Sequence, residues 1–248
     1  MEKRNVLFVM SSLRNGGAER SLVNLLQLLD YDRYNVDLLL FQNEGMFLKQ
    51  VPKAVNIISN CNKLYTLYDN NKAEALKHPY LSSIHMIGTF ISRKKTNSVA
   101  KSRQYRWEHF YKKIVPELTK EYDVAIAYMQ REQTYFLVDK VKAAKKIAWV
   151  HNEYSQLGHF KEMDLEYFEK VDKVVTISDL CAKDLKENFP SIAEKFVVLP
   201  NLTSSQVIRS LAKEFYPPEF KRDMLNIVSI GRLNAPNIGS RQTTSPTY

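Results

Sequence analysis

The sequence predicts an α/β fold, a Rossmann-like parallel sheet with helices on both faces. Short apolar runs alternate with helix-length stretches along most of the chain, which indicates parallel strands joined by crossover helices. Several of the runs are apolar at nearly every position, and this pattern is typical of strands buried on both faces. With 248 residues, the chain is long enough for one large domain or two small ones.

Seven apolar runs, rich in valine and isoleucine, are the predicted strands. In chain order they are residues 5–10, 35–41, 55–59, 123–129, 145–150, 173–178 and 195–200. Residues 18–30 repeat leucine at helical spacing, and residues 132–141 also have a helical pattern. Residues 179–189 are a third predicted helix, with Ser178 or Asp179 as its cap. A further apolar run at 225–233 follows a proline-bearing linker and predicts another buried strand.

Two adjacent glycines, Gly16 and Gly17, lie between the first predicted strand and the first predicted helix. This turn belongs to the carboxyl edge of the sheet, where ligands bind α/β proteins. Glycine lets a ligand approach the backbone closely and adopts positive φ without penalty, and the helix N-terminus suits a phosphate. Glu19, in the first helical turn, is expected to cap the helix. The alternative is a tight turn with no ligand; a dinucleotide-binding dehydrogenase is disfavoured because no third glycine follows at the required spacing.

The net charge of +9 is concentrated in residues 92–113, which contain eight basic residues and one acidic residue, Glu108. Four aromatic residues are interleaved with them. The segment is either a solvated helix with a few aromatic residues in the core or a surface that binds an anionic membrane. No nucleic-acid-binding motif accompanies it, so we expect no nucleic-acid partner. The candidate membrane-binding residues are Arg93, Lys94, Lys95, Lys101, Arg103 and Arg106.

The expected location is the cytoplasm, or the inner face of the plasma membrane as a peripheral protein. No apolar run approaches the length that crosses a bilayer, and residues 6–10 are too short for the core of a signal peptide.

The two cysteines, Cys61 and Cys181, lie far apart and form no metal-binding pattern. We expect no metal at these cysteines, and we expect no cofactor.

Five segments, in the same order along the chain, resemble the family 4 glycosyltransferases, which are retaining sugar-nucleotide enzymes of GT-B architecture. They are VLFVMSSLRNGGAERSLVNLL (6–26), IAWVHNEY (147–154), VDKVVTISDLCAKDL (171–185), FVVLPNLT (196–203) and LNIVSIGRL (225–233). No single segment is specific for this family, but the occurrence of all five in the same order is. The resemblance covers about residues 4–233 and implies a nucleotide-diphosphate sugar as the donor substrate.

The resemblance also implies roles for individual residues. Gly16 and Gly17 would line the cleft near the donor diphosphate and the acceptor. His151 would contact the transferred sugar or stabilise charge at the reacting centre, and Asn152 would help to shape the site. Arg232 would bind the donor phosphate bidentately. The alternative for His151 is a histidine that is hydrogen-bonded at the end of a strand.

After residue 233 the sequence departs from the family pattern, because the expected lysine and the two glutamates that hold the nucleotide sugar are missing. We therefore expect residues 1–205 to form the N-terminal, acceptor-side domain, with a helical insertion at about 63–120. Residues 206–224 would be a linker helix and hinge. Residues 225–248 would be the start of a truncated C-terminal domain with an irregular tail.

The expected function is the acceptor-binding part of a glycosyltransferase. The complete enzyme would move a sugar from a nucleotide sugar to a polysaccharide, such as a capsule, or to a lipid-linked acceptor, with retention of configuration. The chain alone would be inactive, because the donor-binding half is missing. A second hypothesis is a non-catalytic module that binds a glycan, a glycolipid acceptor or a partner chain.

Overall fold

The described residues form one seven-stranded sheet in which every neighbouring pair of strands is parallel. The computed structural model describes residues 2–58, 62–68, 76–202 and a few residues between 208 and 227. The strands are β1 (Arg4–Met10), β2 (Tyr34–Leu40), β3 (Asn56–Ile58), β4 (Glu121–Ala127), β5 (Lys142–Val150), β6 (Lys173–Thr176) and β7 (Phe196–Val198). Their order across the sheet is β3-β2-β1-β4-β5-β6-β7.

All seven predicted strands are confirmed, with ends that differ by up to three residues. The predicted strand at 225–233 lies outside the described residues from residue 228 onward, and so does Arg232. The chain divides into two compact units, Met1–Thr203 and Ser204–Tyr248, and the sheet belongs to the first. The Rossmann-like α/β class is therefore confirmed for the first unit.

Helices cover both faces of the sheet. They are α1 (Gly17–Leu28), α2 (Asn62–Tyr68), α3 (Pro79–Lys95), α4 (Val99–Arg106), α5 (Glu132–Lys140), α6 (Lys161–Glu169) and α7 (Asp179–Asn188). Single turns of 3-10 helix lie at Leu48–Gln50 and Tyr154–Gln156, and a longer kinked one lies at Pro190–Lys195. The α1 crossover leads from β1 to β2 and the α5 crossover leads from β4 to β5, in opposite directions across the sheet. Right-handed crossovers in opposite directions place their helices on opposite faces.

The central strand β1 is packed on both sides, as its continuous apolar sequence requires. Leu7 and Val9 belong to a core cluster that includes Phe136 of α5, whereas Phe8 belongs to a second cluster that includes Leu22 of α1. All five side chains are almost fully buried. Burying each one stabilises the fold by about 1.5–3 kcal/mol relative to leaving it exposed. These two layers make the carboxyl edge of the sheet a rigid platform for the turns that leave it.

A helical segment between β3 and β4 packs on the same face of the sheet as α5. In this segment Gly88 of α3 leaves room for the ring of Phe110, which follows α4; a Cβ at Gly88 would lie 3.3 Å from that ring. The buried hydroxyls of Ser92 and Ser102 join the two helices at 2.7 Å. After α4 the chain continues through a π-helical turn, Trp107–Tyr111, and a short helix, Lys112–Ile114.

The predicted cap of α7 is also confirmed. Ser178 is the N-cap residue, and its hydroxyl accepts a hydrogen bond from the backbone N–H of Cys181 at 3.2 Å. That bond satisfies one of the N–H groups that a helix N-terminus leaves unpaired. Its position sets the direction in which the chain leaves β6.

Candidate functional site

The turns that carry most of the candidate residues leave one edge of the sheet. Because all the strands are parallel, the segments that follow β1, β4 and β5 emerge at the same, carboxyl, edge. Gly16 and Gly17 follow β1, and His151 directly follows β5. The chain winds outward in one direction from β1 and in the other direction from β4, so the edge between these two strands is a topological switch point. Ligands of open α/β sheets bind in the crevice at such a point.

The two glycines do not adopt the positive φ that their sequence allows. Gly16 is the N-cap residue of α1 with φ −98° and ψ 164°, and among the described glycines only Gly45 and Gly158 have positive φ. Gly17 still allows a ligand to approach the backbone closely, which is the other property of glycine. A Cβ at Gly17 would meet nothing within 4 Å, so the first turn of α1 is open on this side.

The carboxylate of Glu19 lies beside the backbone of Gly16, at the N-terminus of α1. A Cβ at Gly16 would lie 2.0 Å from Oε2 of Glu19, so the glycine makes room for this carboxylate. A negative charge is favoured there by the free N–H groups and the helix dipole. A ligand phosphate at this helix N-terminus would therefore have to displace Glu19.

A cleft of about 430 Å³ opens at the switch point, between the ends of β1, β2 and β4. Side chains of both signs line it, including Arg14, Glu19, Arg103, Arg131 and Glu132. Arg14 donates a hydrogen bond from Nε to Glu44 at 2.7 Å. The cleft combines Ser11, Ser12 and Arg14 of the turn that follows β1 with Arg131 and Glu132, two charged residues that the sequence analysis did not select.

Arg131 and Glu132 are the functional candidates that sequence reasoning missed. Arg131 has φ 78° and is the single non-glycine residue with positive φ in the described part of the chain. A bulky residue held in this conformation stores strain, and strained residues cluster at functional sites. The available signal was a pair of adjacent charges shortly after the predicted strand 123–129.

Glu132 is 1% exposed and forms ion pairs with two arginines. Nε of Arg103 donates to its Oε1, and Nε of Arg131 lies 3.8 Å from its Oε2. Burial alone would raise the pKa of Glu132, but the charges of Arg103 and Arg131 outweigh it and hold the pKa below its usual value. Neither Oε2 of Glu132 nor Nε of Arg131 has a hydrogen-bond partner among the described residues. The cleft therefore contains a buried carboxylate that is charged at neutral pH.

His151 is nearly buried at the end of β5, in one cluster with the rings of Trp149 and Tyr128. Its Nε2 lies 3.0 Å from the carbonyl oxygen of Tyr128. A carbonyl only accepts hydrogen bonds, so Nε2 carries the proton in the neutral ring and Nδ1 carries the lone pair. Burial lowers the pKa of His151 to about 4. The imidazole is neutral at pH 7, and its Nδ1 is a buried acceptor without a partner in the described part of the chain.

A chain of hydroxyl contacts ties this strand end to α1 and to the end of β7. The Ser21 hydroxyl lies 2.9 Å from the Tyr128 hydroxyl and donates to Oδ1 of Asn201, also at 2.9 Å. Asn24 of α1 donates to the backbone carbonyl of Leu202. Asn152, next to His151, is exposed. Gly16, Gly17 and His151 thus share one edge of the sheet, but the cleft of Arg131 and Glu132 is lined by neither glycine nor by His151.

The six candidate membrane-binding residues separate into two groups. Arg93, Lys94 and Lys95 are exposed at the C-terminal end of α3, whereas Lys101, Arg103 and Arg106 lie half-buried on α4. Two of the interleaved aromatic residues, Trp107 and Tyr111, are buried in the core rather than displayed beside the lysines. The expected aromatic surface is therefore wrong for these two, because the π-helical turn directs them toward the sheet.

Among the residues described, no group of three or more His, Cys, Asp or Glu side chains could hold a metal ion. No helix in the described ranges has the length and apolar character needed to cross a membrane.

Comparison with known proteins gives a distant structural likeness. No model of a known protein family and no curated protein matches the sequence. The structure is similar to Anabaena HepE in complex with UDP and glucose, with a TM-score of 0.43 and 14% identity over 84% of this chain and 49% of that one. It is also similar to the apo form of the lipopolysaccharide outer core galactosyltransferase WaaB, with a TM-score of 0.45 and 14% identity over 81% of this chain and 46% of that one. The chain spans about half the length of these structures. Because the TM-scores lie below 0.5, the function has to be inferred from the residues of this chain.

Proposed function

We propose that this chain is the acceptor-binding side of a glycosyltransferase. The complete reaction would move a sugar from a nucleotide-diphosphate sugar to a hydroxyl of a polysaccharide or lipid-linked acceptor, with retention of configuration. The observation that carries the proposal is His151, a neutral imidazole with an unpartnered acceptor nitrogen at the edge that also bears the open glycine turn. The order of the five family-like segments along the sequence supports the same function.

The chemistry of His151 favours one of its two expected roles. Its pKa of about 4 leaves it uncharged at neutral pH, so it does not act as a fixed positive charge at the reacting centre. Nδ1 accepts a hydrogen bond, and a sugar hydroxyl is a suitable donor. Because a buried acceptor without a partner is costly, a hydroxyl that reaches Nδ1 gains more than it would at an exposed site. We assign His151 to binding a sugar hydroxyl.

The diphosphate of the donor would lie at the N-terminus of α1. The open side of Gly17 allows close approach to the backbone, and the helix dipole favours a negative charge. Glu19 occupies that position in the absence of a ligand, and it can swing away because its carboxylate is the end of a flexible side chain. The resemblance implies that a second domain holds most of the donor, so we expect this chain to bind ligands without transferring sugar on its own.

The test is ligand binding followed by transfer. The purified chain is titrated with UDP, UDP-glucose and glycan oligosaccharides by calorimetry, beside His151→Phe, which keeps an aromatic ring and removes Nδ1. We expect weak binding that His151→Phe reduces about tenfold, the size of one lost hydrogen bond in a buried site. An equally conservative variant, Phe160→Tyr, serves as the control. Undiminished binding by His151→Phe would overturn the role of His151.

Sugar transfer is then measured with a membrane extract as the source of acceptor. The chain is incubated with several nucleotide sugars, alone and fused to the C-terminal half of a family 4 glycosyltransferase. We expect transfer only by the fusion, and we expect the fusion to lose it with His151→Phe. Transfer by the unfused chain would contradict the expected inactivity, and failure of both to bind any sugar or nucleotide would contradict the proposed function.

We also propose that an anionic membrane is a partner, and we place the contact on α3. Four large side chains of α3 are more than half exposed: Tyr80, Met86, Ile87 and Phe90. The basic residues at its end follow this stripe, and Nζ of Lys94 lies 4.3 Å from the centre of the Phe90 ring. An apolar stripe beside lysine and arginine is the pattern of a helix that lies in a membrane interface. A lipid-linked acceptor would be reached from such a surface.

A further inference from the structure

A second cavity lies within the helical segment, among α2, α3 and α4. It has a volume of about 430 Å³ and is lined by three arginines, Arg93, Arg103 and Arg106, together with several hydroxyl groups. No carboxylate is among the described residues that line it. Tyr68 and Arg103 also line the cleft at the carboxyl edge of the sheet that contains Arg131 and Glu132, called here the strand-edge cleft. The two cavities therefore share a wall. The composition of this cavity is that of an anion site rather than of a sugar site.

Three polar atoms of the cavity residues are buried without a partner in the described part of the chain. They are the Tyr68 hydroxyl, Oγ1 of Thr89 and Nε of Arg106. Buried polar groups are nearly always hydrogen-bonded, and leaving one unpaired costs about 1–3 kcal/mol. All three can donate, and Nε of a guanidinium can do nothing else. A single ligand group that accepted hydrogen bonds from all three would need several acceptor oxygens.

The positive charge of the cavity exceeds the negative charge of the described residues around it. Arg103 is paired with Glu132, but Arg93 and Arg106 have no carboxylate within ion-pair distance in the described ranges. His85, which also lines the cavity, responds to this charge. Burial lowers the pKa of His85, and the charges of Arg106, Arg103 and Arg93 lower it further. A ligand of two negative charges would complement the two unpaired arginines.

The position of Arg106 is fixed before any ligand arrives. Its Nη1 donates a hydrogen bond to the Ser102 hydroxyl at 3.0 Å. The Ser102 hydroxyl is in turn hydrogen-bonded to the hydroxyl of Ser92 on α3. The N-terminus of α4 opens into the same cavity, since the N-cap residue Ser98 and Val99 line it. Guanidinium groups that are held in place, together with a helix N-terminus, recognise phosphate oxygens.

We propose that this cavity binds a phosphate group, as a phosphate monoester or a diphosphate. A carboxylate has two oxygens and one charge, whereas a terminal phosphate offers three oxygens and nearly two charges. The larger number matches the three buried donors and the two unpaired arginines. The inference rests on the contacts of α2, α3 and α4 and goes beyond sugar transfer, so it stands whether or not the chain takes part in that reaction.

The first experiment measures binding of inorganic phosphate and pyrophosphate to the full chain by calorimetry at low ionic strength. We expect saturable binding that Arg106→Gln and Arg93→Gln each weaken about tenfold or more, because each removes a charge-assisted contact. Lys95→Gln is the matched control, since it removes the same charge from the end of α3 without lining the cavity. Equal loss with Lys95→Gln, or no saturable binding by the wild type, would overturn the proposal.

A second pair of variants distinguishes a loss of phosphate binding from a loss of folding. Tyr68→Phe and Thr89→Val each remove an unpartnered hydroxyl and keep the shape of the side chain, so the free protein should be no less stable in urea. We expect each to weaken phosphate binding several-fold, about the effect of one hydrogen bond. Full binding by both variants would show that the buried hydroxyls do not face the ligand and would overturn the site.

The source of the phosphate is decided with lipid vesicles. Vesicles containing phosphatidic acid present a phosphate monoester, whereas phosphatidylglycerol presents a diester of lower charge. Arg106-dependent preference for phosphatidic acid identifies a lipid headgroup, and Arg106-dependent binding of pyrophosphate without that preference identifies a soluble ligand. Either outcome supports the phosphate site, and absence of both would overturn it.

Discussion

At the scale of the residue, the state of His151 depends on one backbone contact. The carbonyl of Tyr128 holds the Nε2 proton, and the rings of Trp149 and Tyr128 keep water away from the imidazole. Protonation would place a second proton on Nδ1, which has no acceptor nearby in the described part of the chain. The fold therefore opposes the charged form, and this has a measurable consequence for stability.

We expect the chain to lose stability between about pH 6.5 and pH 4 because of His151. In this range the unfolded chain binds a proton that the folded imidazole does not, so lowering the pH favours unfolding. A shift of this size corresponds to about 3 kcal/mol of unfolding free energy at most. Urea denaturation at pH 7 and pH 4.5 measures it, and His151→Gln should flatten the dependence. His109→Gln, at an exposed histidine, is the control, and an equal slope in wild type and His151→Gln would contradict the expectation.

Gly17 and Gly45 illustrate the two roles of glycine, which are close approach of a ligand to the backbone and positive φ. Gly17 lies in open space without positive φ, so Gly17→Ala should leave the unfolding free energy unchanged or raise it by up to about 1 kcal/mol. If a diphosphate approaches this backbone, the same change should weaken UDP binding about tenfold. Gly45→Ala is the contrast, because its φ is 129° and its Cβ would lie 1.9 Å from the Leu13 carbonyl oxygen. Calorimetry measures UDP binding, and urea denaturation measures the unfolding free energy. Undiminished UDP binding by Gly17→Ala would mean that no ligand reaches this turn.

At the scale of the element, α3 has two different long sides. Its inner side packs against the core through Leu81 and Gly88, and its outer side exposes Met86, Ile87 and Phe90. Apolar side chains of this size are usually buried, so a contiguous exposed stripe marks a contact surface. The proposed membrane contact predicts which side chains matter and which do not.

Replacing Met86, Ile87 and Phe90 together with glutamine should abolish most sedimentation with anionic vesicles. The triple variant removes the apolar contact, whereas Lys94→Gln with Lys95→Gln removes about 1 kcal/mol of attraction per charge and should lower binding chiefly at low salt. Leu28→Gln with Leu180→Gln, at exposed leucines on other helices, is the control and should bind normally. Equal sedimentation with neutral and anionic vesicles would count against the electrostatic part, and full binding by the triple variant would rule out α3.

At the scale of the whole molecule, Arg103 joins the helical segment to the sheet. It extends from α4 to Glu132, the first residue of α5, and its guanidinium lies 5.6 Å from the centre of the Tyr68 ring on α2. Arg103 and Tyr68 thus form the wall between the strand-edge cleft and the arginine-lined cavity. One ion pair connects the two candidate ligand sites.

We expect Arg103→Gln to lower the unfolding free energy by about 3 kcal/mol or more, because it leaves the charge of Glu132 buried with the more distant Arg131 as its remaining ion-pair partner among the described residues. The double variant Arg103→Met with Glu132→Leu should recover much of that loss, since it removes both charges. Lys145→Gln breaks the exposed pair with Asp172 and should cost no more than about 1 kcal/mol. Urea denaturation compares the three, and a loss in Arg103→Gln no larger than in Lys145→Gln would show that the pair is not structurally important.

The local sequence pattern was sufficient to predict the seven strands and the helices α1, α5 and α7. The seven strands are predicted because a strand buried on both faces needs apolar residues at nearly every position, and β1 and β2 meet that requirement. The cap at Ser178 and the glycine turn before α1 are equally local, since each depends on residues within one helical turn. The shared edge of Gly16, Gly17 and His151 also follows from sequence, because parallel strands end on the same side.

The amino-acid sequence by itself therefore determined the class of fold, its strands and the edge from which the candidate residues emerge. Only the tertiary structure decided which side chains meet. Arg103 finds Glu132 across 29 residues, and the tautomer of His151 is set by a carbonyl 23 residues away. It also decided that Trp107 enters the core while Phe90 faces outward. Periodicity is a property of neighbouring residues, whereas burial and ion pairing depend on what the folded chain brings against each face.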